Sequence, residues 1–249
     1  MKMDMERLGV VILAGGKGTR MKSDLPKALH PLKGKPMALW TIEAARALNP
    51  EMIVVIVGHG REKMMETLAG QGVQFAIQEP QLGTGHALAC ASEYFAGFDG
   101  AVVVLSADVP AIRPDTLAAL IQARRTAGAA VALLSCVMEN PGAYGRVARN
   151  GDRVTAIVEA KDATADQLAI REINSGIYAF DARFVFSALP KVGRANAQGE
   201  YYLTDVVGLA VSEGKKVVAL PVDGQEEIQG VNTVDELAAL EKVFDSKRD

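Results

Sequence analysis

A short, glycine-rich and basic stretch is the part of this 249-residue sequence that points most directly to chemistry. Residues 13–27 contain three glycines and four basic side chains, directly after an apolar run from Val10 to Leu13 that has the composition of a buried strand. Glycines let backbone N–H groups approach a ligand, and Arg20 and Lys27 can neutralise phosphate oxygens. The stretch therefore predicts a polyphosphate site, and the alternative is an ordinary strand-to-helix turn with a solvated basic face.

Two familiar phosphate-binding motifs do not match this stretch. A dinucleotide fingerprint needs a glycine where the chain has Met21, and a Walker A loop needs Gly-Lys followed by Ser or Thr after a four-residue spacer. Neither Gly16-Lys17 nor Gly34-Lys35 provides that arrangement. What remains is Leu-x-x-Gly-x-Gly-Thr-Arg-Met, followed shortly by Pro26-Lys27.

A second polar loop follows the apolar run from Val73 to Ile77 and reads Gln-Glu-Pro-Gln-Leu-Gly-Thr-Gly-His-Ala from Gln78 onward. The Gln78 amide can both donate and accept hydrogen bonds at the edge of a pyrimidine, and Gly83 lets a base lie against the backbone. The alternative is a polar loop with a helix N-cap.

A third loop places Asp108 directly after the apolar run from Ala101 to Leu105. A carboxylate at the end of a central strand is costly to bury unless it is paired, and Mg²⁺ with phosphate oxygens is a natural partner. The alternative is an aspartate that caps the turn before Pro110.

The apolar fraction of 49% and the charged fraction of 23% are those of a soluble globular protein. The net charge of −3 argues against a general nucleic-acid binder, but residues 15–35 carry +5 and the remainder −8, which favours a small anionic ligand. Cys90 and Cys136 have no metal-ligand spacing and predict free buried thiols in a reducing cytoplasm. No stretch has the length of a signal-peptide core or a membrane span. His30, His59 and His86 show no metal-ligand spacing either, and we assign them no catalytic role.

Short apolar strands alternate with amphipathic helices, which predicts an α/β fold with a mostly parallel sheet and helices on both faces. Ligands of such sheets bind at the carboxyl ends of the strands. The predicted helices are Pro36–Leu48, Arg61–Leu68, Thr84–Phe95, Pro114–Ala127 and Thr204–Ser212, and the further strands are Met52–Val57, Ala130–Leu134, Ile173–Phe180 and Val217–Val222. Asn150-Gly151 predicts a β-hairpin from Arg146 to Val158, and a capping box at Thr233 predicts a last helix to about Phe244.

From Val10 to about Phe244, the order of these motifs resembles that of the sugar-1-phosphate nucleotidylyltransferases. The Gln78 loop in particular is similar to the uracil-binding loop of the bacterial UDP-N-acetylglucosamine pyrophosphorylases, also called N-acetylglucosamine-1-phosphate uridylyltransferases. The resemblance implies a single Rossmann-like domain of the nucleotide-diphospho-sugar transferase type with a mixed sheet. We expect a nucleotidyltransferase domain over residues 1–232 and a C-terminal helix and tail over 233–249.

The resemblance also implies a role for each candidate site residue. Arg20 and Lys27 are the catalytic candidates; the nucleotide contacts are Leu13, Ala14, Gly15, Gly16, Gln78, Gly83, Thr84 and Asp108; the sugar contacts are Gly145, Glu159 and Asn174; and the Mg²⁺ ligands are Asp108 and Asn232. Without the resemblance, Asn232 would be a turn residue, and each of the sugar contacts a surface or turn residue. Residues 196–205 are expected to be mainly structural, with Glu200 and Tyr202 as possible sugar-side contacts.

The implied activity is Mg²⁺-dependent uridylyl transfer from UTP to N-acetylglucosamine 1-phosphate. Two alternatives stay open: another sugar 1-phosphate, such as that of glucose or N-acetylmuramic acid, or a regulatory module that binds a nucleotide sugar without catalysis. The number of metal ions also stays open.

The sequence departs from the family pattern in two places. Ser106 and Ala107 stand before Asp108, where the family usually has a glycine preceded by an aromatic residue or cysteine. Bifunctional members continue into a trimerising β-helix of hexapeptide repeats with acetyltransferase activity. We find no such repeat, so we expect no acetyl transfer, and the oligomeric state stays open.

Overall fold

The computed structural model describes residues 6–244 of the chain. Residues 1–5 of the charged N-terminal segment and residues 245–249 of the predicted C-terminal tail lie outside the described residues. Among the described residues, no helix is long and apolar enough to cross a membrane.

The elements alternate as the sequence predicts. The strands are β1 Leu8–Leu13, β2 Pro31–Leu32, β3 Lys35–Pro36, β4 Met52–Val57, β5 Gln74–Ile77, β6 Ala101–Ser106, β7 Val131–Val137, β8 Arg146–Asn150, β9 Arg153–Val158, β10 Glu172–Asp181 and β11 Val217–Pro221. The α-helices are α1 Met37–Arg46, α2 Arg61–Thr67, α3 Thr84–Ala89, α4 Pro114–Ala127, α5 Ala165–Leu168, α6 Ala182–Ala188, α7 Asp205–Ser212 and α8 Val234–Val243.

The central sheet is mixed but mostly parallel. Its strand order is β11-β7-β10-β6-β1-β4-β5, and β10 runs antiparallel to both β6 and β7. The predicted hairpin forms from β8 and β9 and joins the sheet through β10. The predicted fold class is confirmed.

The register of the parallel strands brings the predicted loops to one edge of the sheet. Leu13 at the end of β1 pairs with Ile56 on β4 and with Ser106 on β6. Because all these strands run in the same direction, the glycine-rich loop and the Asp108 loop leave the sheet side by side.

Alternate residues of the central strands enter two separate apolar cores. In β1, Val10 and Ile12 pack on the face covered by α1, α2 and α4, whereas Val11 packs on the face covered by α3, α6 and α7. All three side chains are fully buried. Such double burial explains why the strands are continuous apolar runs, and it confirms helices on both faces.

Two local expectations need correction, and the sequence pattern did not predict helices α5 and α6. The predicted helix from Thr84 to Phe95 ends at Ala89 and a 3₁₀ turn follows, in which the Ser92 hydroxyl donates to the Ala89 carbonyl at 2.7 Å. Serine side chains compete in this way with the helical hydrogen-bond pattern. Pro36 precedes α1 as its N-cap instead of occupying the first turn. Helix α6 was not predicted, although Asp181 caps it by accepting from the Phe184 N–H at 2.8 Å.

Candidate active site

A cavity of about 640 Å³ opens at the carboxyl ends of β1, β5 and β6. Nine of the predicted catalytic and nucleotide-contact residues line it: Leu13, Ala14, Gly15, Gly16, Lys27, Gln78, Gly83, Thr84 and Asp108. The three loops that the sequence singled out therefore form the walls of one cavity, as expected for ligand sites of open α/β sheets.

Four predicted residues form a hydrogen-bonded group that we call the phosphate cluster: Arg20, Lys27, Asp108 and Asn232. The Lys27 ammonium donates to Asp108 Oδ2 and, at 2.9 Å, to Asn232 Oδ1. The same Asn232 oxygen accepts from Arg20 Nη2 at 2.8 Å. Two cations thus meet at a single amide oxygen, and one of them, Lys27, also holds the Asp108 carboxylate at the cavity.

Backbone shape places Lys27 in the phosphate cluster. Gly18 has a φ of 58°, and a Cβ added there would lie 2.6 Å from Lys27 Cβ. Only glycine combines this left-handed conformation with so close an approach. Lys27 itself begins a 3₁₀ turn whose next residues, Ala28 and Leu29, are buried and anchor the turn to the core.

The capping box predicted at Thr233 forms and also holds Asn232. Glu236 Oε2 accepts from the backbone N–H of Asn232 at 2.6 Å and from that of Thr233 at 3.2 Å. The Val231 N–H donates to the Asp108 carbonyl at 2.8 Å. The start of α8 is therefore tied to the Asp108 loop, far away in sequence.

A second, smaller cavity of about 400 Å³ shares Ser106 and Asp108 with the first. Arg20, Asn232 and Tyr144 also line it. Burial raises the pKa of the Tyr144 phenol, and the nearby carboxylates of Glu236 and Asp108 act in the same direction. The phosphate cluster thus stands between the two cavities and is reachable from both.

Asp108 and Asn232 fit the expected magnesium ion in donor type. Their side-chain oxygens converge on the Lys27 nitrogen, which is a point already suited to a cation. Among residues 6–244, no three His, Cys, Asp or Glu side chains gather as a metal site. Mg²⁺ is commonly held by one or two protein oxygens together with phosphates and waters, so a donor pair is compatible with it.

At the other end of the first cavity, Gln78 is only 4% exposed. Its Nε2 donates to the Gly83 carbonyl at 2.9 Å. Gly83 has a φ of 107°, and a Cβ there would lie 2.6 Å from the Tyr201 carbonyl oxygen. The two residues predicted to contact a base therefore contact each other.

The predicted sugar contacts form a separate group, the carboxylate–amide cluster: Gly145, Glu159 and Asn174. The Asn174 N–H donates to the Gly145 carbonyl at 2.9 Å, and a Cβ at Gly145 would lie 3.6 Å from Glu159 Oε2. The Asn174 amide donates to the Tyr178 hydroxyl at 2.7 Å. The structure brings these three residues together: Glu159 directly follows β9, Gly145 directly precedes β8, and Asn174 lies on β10. All three lie outside the lining of the two cavities just described.

The Glu159 carboxylate accepts from the Thr204 hydroxyl at 3.0 Å. Burial raises the pKa of Glu159, the Thr204 hydrogen bond opposes that rise, and the charges of Asp162 and Asp205 add to it. Burial also raises the pKa of Tyr178, which the negative charge of Glu159 reinforces.

Residues 196–205 connect the Gln78 end of the first cavity with the carboxylate–amide cluster. The Tyr201 N–H donates to the Leu82 carbonyl at 2.8 Å, and the Leu203 N–H donates to the Thr84 hydroxyl at 3.1 Å. Thr204 then reaches Glu159. Of the two possible sugar-side contacts, Glu200 lines the first cavity, whereas the buried Tyr202 donates to Asp162 at 3.2 Å.

Sequence reasoning missed several residues at the site. Lys17 and Gln81 line the first cavity, and both lie inside loops that the sequence had already singled out. Arg146 is 3% exposed and donates to the carbonyl oxygens of Tyr144, Gly142 and Leu168, which holds the loop before β8 in place. Arg146 stands next to the predicted sugar contact Gly145, but the sequence did not indicate its contacts with these carbonyl oxygens.

Comparison with known proteins places this chain among nucleotidyltransferases. Residues 10–169 match the model of the MobA-like NTP transferase domain. The chain is 50% identical to the bifunctional protein GlmU of Geobacter metallireducens over 236 residues, which cover 94% of this chain and 50% of that protein. It is 49% identical to the bifunctional protein GlmU of Thermus thermophilus over 234 residues, 94% of this chain and 51% of that protein. The chain thus spans about half the length of these curated relatives.

The fold has a counterpart among solved structures. A Bacillus anthracis protein described as a glucose-1-phosphate thymidylyltransferase superposes with a TM-score of 0.75 at 20% sequence identity, covering 95% of this chain and 94% of its own. At that identity the likeness shows a shared fold.

Proposed function

Because this chain belongs to the family of MobA-like NTP transferase domains, we propose that it transfers a uridylyl group from UTP to N-acetylglucosamine 1-phosphate. The products are UDP-N-acetylglucosamine and pyrophosphate. The observation that carries the proposal is the phosphate cluster, in which Arg20, Lys27, Asp108 and Asn232 meet at the rim of a cavity that has Gln78 at its other end. The identity of about half of all aligned residues with GlmU proteins supports the same assignment.

The reaction is a displacement at the α-phosphorus of UTP. A phosphate oxygen of the sugar 1-phosphate forms the new P–O bond, and the bond to the β-phosphate oxygen breaks, so that pyrophosphate leaves with the electron pair. Catalysis of such a displacement depends on positioning and on neutralising the charge that spreads over the phosphate oxygens. Lys27 and Arg20 supply this charge, and no covalent enzyme intermediate is needed.

Asp108 and Asn232 would hold Mg²⁺, which supplies further neutralisation of the phosphates when bound. In the protein itself, Lys27 already bridges these two side chains. Since an ammonium group has three donors, Lys27 can keep one contact and turn another donor toward a phosphate.

The carboxylate–amide cluster would receive the sugar. Glu159 and Asn174 offer carboxylate and amide oxygens that can accept from hydroxyl groups. Gly145 lies close beside Glu159, since a Cβ there would stand 3.2 Å from Ile157 Cγ2 and 3.6 Å from Glu159 Oε2. Residues 196–205 hold this cluster in a fixed position relative to the nucleotide cavity, because Thr204 donates to Glu159 and the neighbouring Leu203 donates to Thr84.

The test is pyrophosphate release measured over a panel of nucleotides and sugar 1-phosphates. UTP with N-acetylglucosamine 1-phosphate should give the highest kcat/KM among pairs that include ATP, CTP, GTP, dTTP, glucose 1-phosphate and N-acetylmuramic acid 1-phosphate. A higher value with another sugar would overturn the substrate assignment. Binding of UDP-N-acetylglucosamine without turnover of any pair would favour the regulatory module.

A further inference from the structure

The Gln78 amide is held on its nitrogen side by two acceptors. Its Nε2 lies 2.9 Å from the Gly83 carbonyl oxygen and 3.3 Å from His86 Nδ1. An amide nitrogen carries two hydrogens, so each has an acceptor, and the amide oxygen remains as the group available to a ligand. That oxygen faces Gly15 and lies 2.9 Å from where a Gly15 Cβ would stand.

These contacts define the proton position on His86. Because Gln78 Nε2 can only donate, His86 Nδ1 must accept, and the proton of the neutral imidazole is therefore on its Nε2. If the Gln78 amide were rotated by half a turn, its oxygen would face the Gly83 carbonyl oxygen, and no tautomer of His86 relieves that acceptor pair. The amide therefore keeps its nitrogen toward Gly83 and His86.

The His86 ring is held by two parts of the chain. It lies in the first turn of α3, whose Gly85 N–H donates to the Tyr201 carbonyl at 2.8 Å. The ring centre is 6.3 Å from that of Tyr201. The acceptor opposite Gln78 is therefore on a fixed element.

We propose that His86 is a positioning residue that sets base selectivity, because it holds Gln78 with its carbonyl oxygen toward the base. A pyrimidine whose N3 faces this oxygen must donate a hydrogen there. Uracil has an N3–H, whereas N3 of cytosine is an acceptor and would face the oxygen lone pair to lone pair. The inference rests on the proposed nucleotide site and goes beyond it by assigning selectivity to a residue behind the cavity wall.

The experiment compares two nearly isosteric substitutions. In His86→Asn, the side-chain oxygen stands the same number of bonds from Cα as Nδ1 and can accept from Gln78. In His86→Leu, a methyl group occupies that place. Calorimetric titration of wild type and both variants with UTP and with CTP, in the presence of MgCl₂, gives the ratio of the two Kd values without requiring turnover.

Wild-type protein should bind UTP more tightly than CTP. The loss of one hydrogen bond to a buried amide should reduce the CTP-to-UTP ratio of Kd values roughly 5- to 10-fold in His86→Leu, mainly through weaker UTP binding. His86→Asn should keep the wild-type ratio to within about 2-fold. KM for the sugar 1-phosphate should stay unchanged in both variants. His86→Phe, which keeps a ring beside Tyr201, replaces His86→Leu if that variant does not fold.

An unchanged ratio in His86→Leu, or an equal loss in His86→Asn, would overturn the proposal, since the acceptor would then not be the cause. These outcomes are separate from failure of the proposed function. A protein that prefers UTP in binding but turns over no sugar 1-phosphate would refute the transferase activity and leave the role of His86 standing.

Discussion

The phosphate cluster and the carboxylate–amide cluster differ in how they satisfy their charges. In the phosphate cluster, the Lys27 and Asp108 side chains pair directly and stay about one-fifth exposed. In the carboxylate–amide cluster, Glu159 accepts from a hydroxyl group, and its pKa is raised by burial and further by the acidic residues nearby. The first arrangement suits a ligand that brings several negative charges, and the second suits uncharged hydroxyl groups. We therefore propose that the two clusters act at opposite ends of one reaction.

The largest expected effect comes from removing the charge of Lys27. We predict that Lys27→Met lowers kcat roughly 10²-fold or more, because a preorganised charge facing the phosphates is lost. The measurement is pyrophosphate release at saturating UTP, sugar 1-phosphate and Mg²⁺. Lys35→Met is the matched control, since the Lys35 ammonium pairs with Glu43 and lies over Trp40, and it should leave kcat unchanged. Near-normal turnover of Lys27→Met would show that Lys27 is not a catalytic residue.

Asp108→Asn should have the next largest effect and should act through magnesium. We predict that the Mg²⁺ concentration for half-maximal rate rises about 10-fold, because a carboxylate is a much better Mg²⁺ ligand than an amide. Titration of the rate with MgCl₂ at fixed saturating substrates measures it. The exposed Asp115, in the first turn of α4, provides the control Asp115→Asn. A loss of rate with no change in the Mg²⁺ requirement would show that Asp108 acts only through Lys27.

Glu159→Gln tests the other cluster and should affect binding of one substrate. We predict that KM for the sugar 1-phosphate rises roughly 10-fold while KM for UTP changes little, because the substitution weakens a charge-assisted hydrogen bond to a hydroxyl group. Initial rates with each substrate varied in turn provide both constants. If KM for UTP rose equally, the division between the two clusters would be wrong.

The smallest effect concerns stability and its pH dependence. The folded-state pKa of Glu159 is raised above the unfolded value, so the native protein binds the extra proton and loses relative stability as pH rises through the folded pKa. Glu159→Gln removes this cost. Its Tm advantage over wild type should therefore be larger at pH 7.5 than at pH 4, by on the order of 2 °C.

Glu213→Gln is the control with the opposite sign, because the hydrogen bond from Lys191 lowers the pKa of Glu213. This variant should gain no stability at high pH. A Glu159→Gln variant whose Tm difference from wild type is the same at both pH values would contradict the raised pKa of Glu159.

Local sequence signals predicted much of the fold. Apolar runs located β1, β4 and β6, and the Asn150-Gly151 turn located the β8–β9 hairpin. The antiparallel direction of β10 had no such signal, because strand direction depends on neighbours that are distant in sequence. Likewise, the end of α3 at Ala89 reflects competition from Ser92 and does not follow from apolar spacing.

The candidate site was predictable residue by residue but not contact by contact. The types of Arg20, Lys27, Asp108 and Asn232 indicate phosphate and metal chemistry, and their positions in loops after strands indicate one edge of the sheet. That Asn232 accepts from both cations, although it lies more than two hundred positions from each, could not be read from spacing. The contact between His86 and Gln78 could not be read from spacing either, because the histidines were considered as metal ligands or catalytic groups and not as partners of another side chain.

By itself, the sequence determined the family, the alternation of strands and helices, and the residue types that the proposed chemistry needs, since these depend on local composition and pattern. The tertiary structure decided which of those residues form ion pairs and which form hydrogen bonds with each other. The register of β1 against β6 and the docking of α8 bring the phosphate cluster together. Burial beside Thr204 and Asp162 raises the pKa of Glu159. Hydrogen bonds and pKa shifts depend on distances of a few ångströms between remote segments, and only the folded chain fixes those distances.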